Sequence, residues 1–457
     1  MIQIKNKDKL IKNGETKQAQ KARTIALRTL EHALDAVDAA KLLKSKVTLE
    51  DCKLHAGSYS FDLRKFRNVY VLGGGKASGS MALALEEALG KRITAGFVNV
   101  PYGDKHKTSI IKLREANHPI PDEAGVAGTR EMLALAEKAD EDDLIIALIS
   151  GGGSSLMPLP RDGISLQDKR GLTNKLLNSG AEISEINAVR KHLSGFKGGW
   201  LAKKAYPATV LNIVLSDVVG DSLESIASGP TVPDSTTFAD ARRILQKYDL
   251  WDNAPSSIRS LISSGEKGVV PETPKHGDAA FEKGYSVILG NSRSAALAAI
   301  EHLSSEGLNP LLLTSTLEGE ASTVGTVIAS IAKEVAESGN SVPKPAGLIA
   351  SGETVVTVRG KGAGGRNQEL ALSAALKLQG IEGAVVASLS TDGIDGTDAA
   401  GAIVDGKTIE RAKLLGLNPE EYLAENNSYG FFSKLGDLIV TGQTGTNVND
   451  ISVIVIL

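Results

Sequence analysis

Residues 144–155 carry the sequence feature that most constrains the fold, an apolar run that stops abruptly at glycine. The run Leu-Ile-Ile-Ala-Leu-Ile is followed directly by Ser-Gly-Gly-Gly-Ser-Ser. A short, continuous and branched apolar run predicts a strand that is buried on both faces, as in parallel sheets. Open α/β sheets bind ligands beyond the carboxyl ends of such strands. The sequence therefore predicts an α/β fold with a ligand-binding loop at residues 150–155.

Glycine-rich loops after apolar runs recur along the chain. They occupy positions 73–76, 364–366 and 441–446 in addition to 150–155. Consecutive glycines let the backbone turn tightly, and backbone N–H groups with nearby hydroxyls suit a bound anion. A single loop of this kind could equally be a flexible turn. Because the pattern is repeated, we expect several of these loops to bind an anionic ligand.

The loop that begins at residue 73 nearly fits two nucleotide-binding motifs and matches neither. A Walker A loop needs Gly-Lys-Ser/Thr where this chain has Gly79-Ser80-Met81, and a dinucleotide fingerprint needs glycine in place of Ser78. The next predicted strand, 93–100, contains no acidic residue for a ribose. Lys76 is then the informative residue, because a lysine at a glycine loop is a mobile point charge for phosphate or carboxylate. A solvated surface lysine is the alternative interpretation.

Composition narrows the class of protein. A chain of 457 residues predicts two or three domains of roughly 100–200 residues each. The net charge of −3 and the lack of a basic run argue against nucleic acid as a partner, and no run approaches the roughly 18 apolar residues of a membrane span. The single cysteine, Cys52, excludes an intrachain disulfide and a cysteine-based metal site. We expect a cytoplasmic protein with a small-molecule substrate, and a homo-oligomer stays open.

Acidic residues follow two of the predicted strands. Asp217 comes just after the apolar run 209–215, the usual place for a Mg²⁺ ligand in phosphoryl-transfer enzymes. Asp392, Asp395 and Asp398 are spaced three residues apart, which resembles a divalent-metal loop but lacks the spacing of an EF-hand. Turns and helix caps are the alternative explanation. We interpret Asp217 and Asp392 as candidate metal ligands.

Three further cations are candidates for anion binding. The predicted helix 182–195 carries Arg190 and Lys191 on a polar face that leads into the glycine-rich turn 195–199. Either side chain could hold a ligand carboxylate, although a face of this kind is usually just solvated. Arg366 opens another predicted helix, where the helix dipole disfavours a cation. We therefore interpret Arg366 as placed to meet an anion.

The domain prediction follows from the positions of these elements. A stretch rich in proline, glycine and charge, 251–284, separates two regions of alternating strands and helices. We predict an N-terminal α/β domain at 1–280 and a C-terminal α/β region at 281–457, both with mostly parallel sheets. A long helix is predicted from Thr16, where apolar residues recur at helical spacing.

The ordered blocks of the chain resemble a known family. They are Val71–Ala77, Asn117–Pro119, Ser150–Ser155, Leu215–Val218, Ser228–Thr231, Ser351–Thr354, Gly364–Glu369, Thr391–Gly396 and Thr444–Asn447. In this order they resemble the glycerate 2-kinases of the MOFRL type. The resemblance runs from about residue 20 to the end of the chain, and residues 346–457 are similar to the MOFRL domain itself.

The resemblance implies transfer of the γ-phosphoryl group of ATP to the 2-hydroxyl of D-glycerate, with Mg²⁺. It implies an active site in the cleft between two α/β domains, with Lys76 and Arg366 as active-site residues. On this basis we assign Asp217 to the metal or to the attacking hydroxyl, Asp392 to the metal, and Arg190 or Lys191 to the glycerate carboxylate. Residues assigned to the substrate also include Glu353, and those assigned to ATP are Gly73, Gly74, Gly75, Ser150, Gly151, Gly152, Gly153, Ser154, Ser155, Asn291, Thr444, Gly445, Thr446 and Asn447.

Two other functions stay open from the sequence. An NAD(P)-dependent hydroxypyruvate reductase would act on a similar small acid, but the failed fingerprint and the missing ribose carboxylate argue against it. A non-catalytic nucleotide or anion sensor would bind ligand without turnover. The number of separate acidic and basic loops favours chemistry over sensing.

Overall fold

The computed structural model describes residues 2–457. Its strands are β1 (Val47–Glu50), β2 (Lys53–Ala56), β3 (Tyr59–Asp62), β4 (Asn68–Gly74), β5 (Ala95–Pro101), β6 (Ile111–Ala116), β7 (Asp143–Ile149), β8 (Thr209–Leu215), β9 (Gly284–Gly290), β10 (Asn309–Leu317), β11 (Ala346–Gly352), β12 (Ala384–Ser390), β13 (Gly401–Asp405), β14 (Leu438–Ile439) and β15 (Asp450–Ile456). Its α-helices are α1 (Lys7–Lys12), α2 (Lys17–Ala36), α3 (Ala39–Lys46), α4 (Ser78–Leu89), α5 (Glu123–Ala136), α6 (Gly153–Leu156), α7 (Leu166–Asn178), α8 (Ile183–His192), α9 (Trp200–Ala205), α10 (Phe238–Lys247), α11 (Ser256–Glu266), α12 (Ser292–Ser305), α13 (Ala321–Ser338), α14 (Arg366–Leu378), α15 (Thr408–Leu414), α16 (Pro419–Ala424) and α17 (Ser428–Leu435). The predicted α/β fold class is confirmed.

The chain forms two compact units. The central unit is Ala39–Leu289, and the terminal unit combines the residues up to Asp38 with Gly290–Leu457. The predicted boundary at 280 lies near Leu289, where the central unit ends, whereas residues 2–38 belong to the same unit as Gly290–Leu457. No helix within residues 2–457 has the length and apolar character needed to cross a bilayer.

The sheet of the central unit has the order β6-β5-β4-β7-β8-β9. The pairs β6–β5, β5–β4, β4–β7 and β7–β8 are parallel, as the sequence predicts. All seven residues of β7 are buried, because helices cover both faces of a parallel sheet. Aliphatic side chains dominate the core around this sheet. The loops after the parallel strands thus emerge at one edge.

The sheet of the terminal unit has the order β10-β11-β15-β12-β13-β14, and here the prediction of mostly parallel strands is wrong. Only β10 and β11 are parallel, whereas β15 runs antiparallel between β11 and β12. The cause is the path of the chain. The segment before Asp450 already lies at the carboxyl ends of β11 and β12, where Asp450 pairs with Gly352 and Ser390, so β15 must run back through the sheet.

The N-terminal helix α2 belongs to the terminal unit because of a buried arginine. Thr16 caps this helix by accepting the N–H of Ala19, which confirms the predicted helix start. Arg23 Nε lies 2.6 Å from Asp405 Oδ2, and Arg23 Nη1 lies 3.0 Å from Asp437 Oδ1. Burial of this charge among carboxylates of the terminal unit fixes the position of the helix, and no local sequence pattern indicates that partnership.

Candidate functional site

The loops that follow β4 and β7 are joined at the carboxyl edge of the central sheet. Gly73 and Gly74 pair in parallel with Leu148 and Ile149, so the two chains leave the sheet together. Beyond the strands, Lys76 N donates to Gly151 O at 2.7 Å. The predicted pair of glycine loops is therefore one connected structure.

Close approach of these two loops explains the glycines. A Cβ atom on Gly75 would lie 2.1 Å from Ser150 Oγ, and one on Gly73 would lie 2.0 Å from Leu148 O. Gly75 N donates to Asn99 O at 3.2 Å, and Ser150 Oγ accepts from Ala77 N at 3.0 Å. Gly75 N and Ser150 Oγ thus have partners within the protein, and the assignment of Gly73–Gly75 and Ser150 to the nucleotide stays a prediction.

Lys76 and His118 both lie against Gly152, in the loop that follows β7. Gly152 has φ of +80°, and a Cβ atom there would lie 2.9 Å from His118 Cδ2 and 3.2 Å from Lys76 Cγ. Lys76, His118 and Gly152 are each half-buried, as are Ser154 and Ser155. Ligand access is therefore concentrated in these residues rather than in the whole run of glycines.

Replacing Gly152 by alanine is expected to lower kcat by about 10²-fold, because a small displacement of a positioned group has an effect of that order. The added methyl group would push on Lys76 and His118. Gly163→Ala is the matched control, since Gly163 has φ of +81° and open space around its would-be Cβ. Both variants should lose about 1–2 kcal/mol of stability through backbone strain. Equal turnover in the two variants would show that the contact with Lys76 is unimportant.

A series of hydrogen-bonded polar side chains connects the loop after β7 to neighbouring segments. Ser154 Oγ lies 2.8 Å from Ser228 Oγ, and Ser228 Oγ donates to Asn187 Oδ1 at 3.1 Å. Ala227 and Ser228 both have positive φ, at +51° and +59°. Strained backbone of this kind concentrates at functional sites. The sequence indicated only a turn at Ser228.

A cavity beside Ser154 and Ser155 is lined by four basic side chains: the buried Lys169 and Lys197, the half-buried Arg190 and the exposed Arg170. Burial, followed by the charge of Arg190, lowers the pKa of Lys169 to about 7. Burial also lowers the pKa of Lys197 well below its ordinary value, and the charges of Lys169 and Arg190 add to this effect. Because burial disfavours the charged form of these lysines, an anion bound in the cavity would stabilise their protonated form.

The predicted choice between Arg190 and Lys191 has a geometric answer. Arg190 lines the cavity, whereas Lys191 Nζ lies 2.5 Å from Asp234 Oδ1 and 3.5 Å from Glu224 Oε2. Lys191 is only 4% exposed. The charge of Lys191 is therefore paired with carboxylates of the protein, and Arg190 is the better candidate for a ligand carboxylate.

Asp217 is half-buried in the loop that leaves β8 at the same edge of the sheet as Lys76.

Arg366 lies at the strand ends of the terminal unit. It opens α14, and its Nε and Nη2 contact the two oxygens of Asp450 at 2.5 and 3.0 Å. Its Nη1 lies 2.9 Å from Glu353 Oε1. The anions that offset the unfavourable helix position are thus protein carboxylates, which corrects the inference that the position alone required a bound anion. Glu353, assigned to the substrate, contacts Arg366.

Asp395 anchors the same helix. Its two oxygens accept the N–H groups of Asn367 and Gln368 at 3.1 and 2.9 Å. Burial, followed by the nearby charge of Asp450, raises the pKa of Asp395 to about 6. The carboxylate interpreted as part of a metal loop is therefore a buried helix cap that holds Arg366 in place.

The raised pKa of Asp395 predicts a pH-dependent stability. The folded pKa of about 6 exceeds the ordinary value of 3.8, so the folded protein binds more protons between these limits and this group's contribution falls as pH rises. Asp395→Asn removes that dependence. Its unfolding free energy relative to wild type should rise by up to about 3 kcal/mol from pH 4 to pH 7. Urea unfolding at several pH values measures this, and a constant difference would contradict the prediction.

Other assigned residues of the terminal unit have structural contacts. Thr444 Oγ1 donates to Thr391 O, and Thr446 Oγ1 donates to Val37 O, so these hydroxyls have partners within the protein, and the assignment of their loop to the nucleotide stays a prediction. Asn291 caps α12 by accepting the N–H of Ser294 at 2.9 Å. Gly445 is half-buried and Asn447 is buried in the same loop as Thr444.

Asp392 is held in a defined orientation. Its Oδ1 accepts from Ser390 Oγ and from Ile394 N, both at 2.9 Å. Within residues 2–457, no group of three or more His, Cys, Asp or Glu side chains has the arrangement of a metal site. Mg²⁺ commonly takes only one or two carboxylates, with phosphate and water as the other ligands. Single oxygen donors such as Asp392 and Asp217 fit that kind of binding.

Sequence reasoning missed Lys169 and did not single out Lys197. A signal for Lys169 was present, because this lysine falls on the buried stripe of α7 with Leu166, Leu172 and Leu176. A charged residue at a core position of an amphipathic helix needs a special environment. Lys197 lay in a turn that we had interpreted as favourable to anions, but its burial depends on the tertiary fold.

Family models match both parts of the chain. The model described as domain of unknown function DUF4147 matches residues 25–263, and the MOFRL family model matches residues 346–450. The chain is 43% identical to a glycerate 2-kinase of Pyrococcus horikoshii, over 96% of this chain and 98% of that protein. It is 46% identical to a D-glycerate 2-kinase of Thermotoga maritima, over 82% of this chain and 88% of that protein.

A solved structure of a glycerate kinase is also similar to this chain. The crystal structure of a glycerate kinase from Thermotoga maritima matches with a TM-score of 0.81 and 42% identity, and the match covers 94% of this chain and 98% of that one. A relative from Agrobacterium vitis, 43% identical over 84% of this chain and 86% of its own, carries a provisional name as a hydroxypyruvate reductase. The similarity thus extends over nearly all of the chain.

Proposed function

Because the chain belongs to the glycerate 2-kinase family, we propose that it transfers the γ-phosphoryl group of ATP to the 2-hydroxyl of D-glycerate, giving 2-phosphoglycerate and ADP. Phosphoryl transfer depends mainly on positioning and on neutralising charge. The observation that carries the proposal is the set of basic side chains next to the loop Gly152–Ser155. Lys76 lies beside Gly152, and the buried Lys169 and Lys197 line the cavity beside Ser154 and Ser155 together with the half-buried Arg190.

In the central unit, Lys76 would neutralise charge on the transferring phosphoryl group. The accessible members of its neighbouring loop, Gly152, Ser154 and Ser155, would donate to phosphate oxygens. Arg190 would bind the carboxylate of glycerate, since an α-hydroxy acid needs a cation partner. Asp217 would orient the attacking hydroxyl and take its proton, or would bind the metal. The bond from the γ-phosphorus to the bridging oxygen of ADP breaks as the bond to O2 of glycerate forms.

In the terminal unit, Arg366 would provide the second positive charge. Asp450 and Glu353 would fix the direction of its guanidinium group, and Asp395 would fix the helix that carries it. Asn291 and the loop Thr444–Asn447 stay assigned to the nucleotide. The expectation that Lys76 and Arg366 act on one phosphoryl group, in a cleft between the domains, stays a prediction.

Magnesium fits the oxygen donors that each unit offers. Asp392, held by Ser390 and Ile394, and Asp217 would each supply a carboxylate oxygen, with ATP phosphates and water as the remaining ligands. Bound Mg²⁺ would shield the negative charge of the phosphates. A cytoplasmic location and a homo-oligomer remain predictions from the sequence.

The decisive experiment is to incubate the purified protein with D-glycerate, ATP and Mg²⁺ and to identify the product by ³¹P NMR. We expect a 2-phosphoglycerate signal that disappears without Mg²⁺. A 3-phosphoglycerate signal would retain the kinase and overturn the position of transfer. The absence of a phosphate ester would reject the kinase.

The reductase alternative has its own assay, because one relative carries that provisional name. Oxidation of reduced nicotinamide by hydroxypyruvate is followed by absorbance. We expect no enzyme-dependent change, whereas steady oxidation without ATP would favour the reductase. Nucleotide binding without either product would favour a sensor.

A further inference from the structure

The cavity of the central unit contains more basic side chains than the proposed binding of glycerate by Arg190 alone would need. Lys169 comes from α7, Arg190 from α8, and Lys197 from the turn after α8. Lys169 is 6% exposed and Lys197 is 1% exposed. A lysine this deeply buried is normally paired with a carboxylate.

Neither lysine has such a partner. Lys197 Nζ donates to the carbonyl oxygens of Ser154 at 2.9 Å and Met157 at 2.5 Å. Lys169 Nζ donates to Pro158 O at 3.1 Å. Across residues 2–457, no carboxylate lies within ion-pair distance of either lysine, and the charged groups that influence them are cations.

A lysine next to this cavity, Lys191, has a carboxylate of the protein as its counter-ion. Lys191 lies on α8 next to Arg190, and its Nζ is 2.5 Å from Asp234 Oδ1. Among the described residues, no such carboxylate serves Lys169, Arg190 or Lys197. An anion that enters from outside would supply a counter-ion and favour the protonated form of both lysines.

We infer that Lys169, Arg190 and Lys197 together form the pocket for the carboxylate group of the acceptor and make the protein select an anionic acceptor. The pocket adjoins the loop proposed for the phosphates, since Ser154 and Ser155 line it. Its other walls include Pro119, Pro121 and Pro158, together with the polar side chains of Arg170, Thr173 and Asn174. This inference rests on the proposed function for the identity of the acid.

The two lysines also fix the shape of the loop. Both donate to carbonyl groups in the segment 154–159, so an anion bound to their ammonium groups is held at a set position relative to Ser154 and Ser155. Lys169 and Lys197 are thus specificity-determining residues.

The test uses the full-length protein and two acceptors, D-glycerate and glycerol, which has CH₂OH in place of the carboxylate. The variants are Arg190→Gln, which removes the guanidinium charge, and Lys169→Gln, which retains an N–H donor for Pro158 O. We expect each to raise the Kd for D-glycerate at least tenfold in calorimetric titrations and to leave the Kd for ATP within about twofold. The preference for D-glycerate over glycerol, measured as kcat/KM, should fall by a similar factor.

Lys175→Met is the matched control, because Lys175 is an exposed lysine on the same helix as Lys169. It should bind both ligands like wild type. If the two cavity variants weaken ATP and not D-glycerate, the pocket binds phosphate and the inference is wrong, while the kinase stands. Unchanged affinity for both ligands would also overturn it. If wild type neither binds nor phosphorylates D-glycerate, the proposed function itself fails, and the inference fails with it.

Discussion

Replacing Lys76 by methionine is expected to lower kcat for glycerate phosphorylation by about 10³-fold with the fold intact. Methionine retains much of the length of the side chain and removes its charge. The backbone of the loop should be undisturbed, because Lys76 N would still donate to Gly151 O. The measurement is steady-state turnover with D-glycerate and ATP, together with circular dichroism and thermal unfolding of the variant.

Two further variants sharpen this test. Lys91→Met changes an exposed lysine of the same unit and should have wild-type turnover. Lys76→Arg retains the charge but replaces a compact ammonium group by a planar one, so we expect partial activity. If Lys76→Met turns over within threefold of wild type, the loop is not at the reacting phosphoryl group.

Arg366 is a less direct test of the same mechanism. Arg366→Ala would also lower kcat, but it would leave Asp450, which is 7% exposed, without its partner. A buried carboxylate that loses its cation destabilises the fold. A loss of activity in Arg366→Ala could therefore come from the missing charge or from the destabilised fold. Lys76→Met removes a charge with the fold intact, so it tests the charge alone.

Replacing Arg23 by methionine is expected to destabilise the protein by about 3–5 kcal/mol. The arginine side chain is completely buried and contacts Asp405, Asp437 and the carbonyl oxygen of Leu10, the last at 2.8 Å. Methionine would fill similar space but would leave Asp405 without a cation. Asp437 would retain Arg411.

Arg28→Met on the same helix is the control. Arg28 is 57% exposed and lies 3.8 Å from Glu306 Oε1, so its loss should change stability by less than about 1 kcal/mol. Urea unfolding measures both variants. Limited proteolysis adds a local readout, since Arg23→Met should expose α1 and α2 to cleavage first. Equal stability of the two variants would mean that the N-terminal helix is held by apolar packing alone.

Local patterns in the sequence were sufficient for the elements and for much of the edge where the site lies. Six mostly branched apolar residues at 144–149 predicted β7, and apolar residues at helical spacing predicted a helix from Thr16, because both patterns depend on neighbours along the chain. Lys76 was recognised from its position after a glycine loop. These predictions needed no knowledge of distant contacts.

Tertiary structure decided which of the candidate residues use their polar groups within the protein. Ser150, Gly75, Thr444 and Thr446 have the composition of an anion-binding loop, yet their groups contact other loops. Arg190 and Lys191 are adjacent in sequence, but only the fold brings Asp234 to one of them. Hydrogen-bonding capacity is a property of a residue, whereas its availability depends on what packs against it.

The sequence by itself determined the α/β class, the strand-loop-helix order and the family resemblance, since all three depend on local patterns in a fixed order. Only the tertiary structure decided that β15 runs antiparallel between β11 and β12, that residues up to Asp38 join the terminal unit, and that Lys169 and Lys197 share a cavity with Arg190. Each of these results depends on contacts between residues far apart in the chain. Their energy comes from burial and charge pairing that no single segment contains.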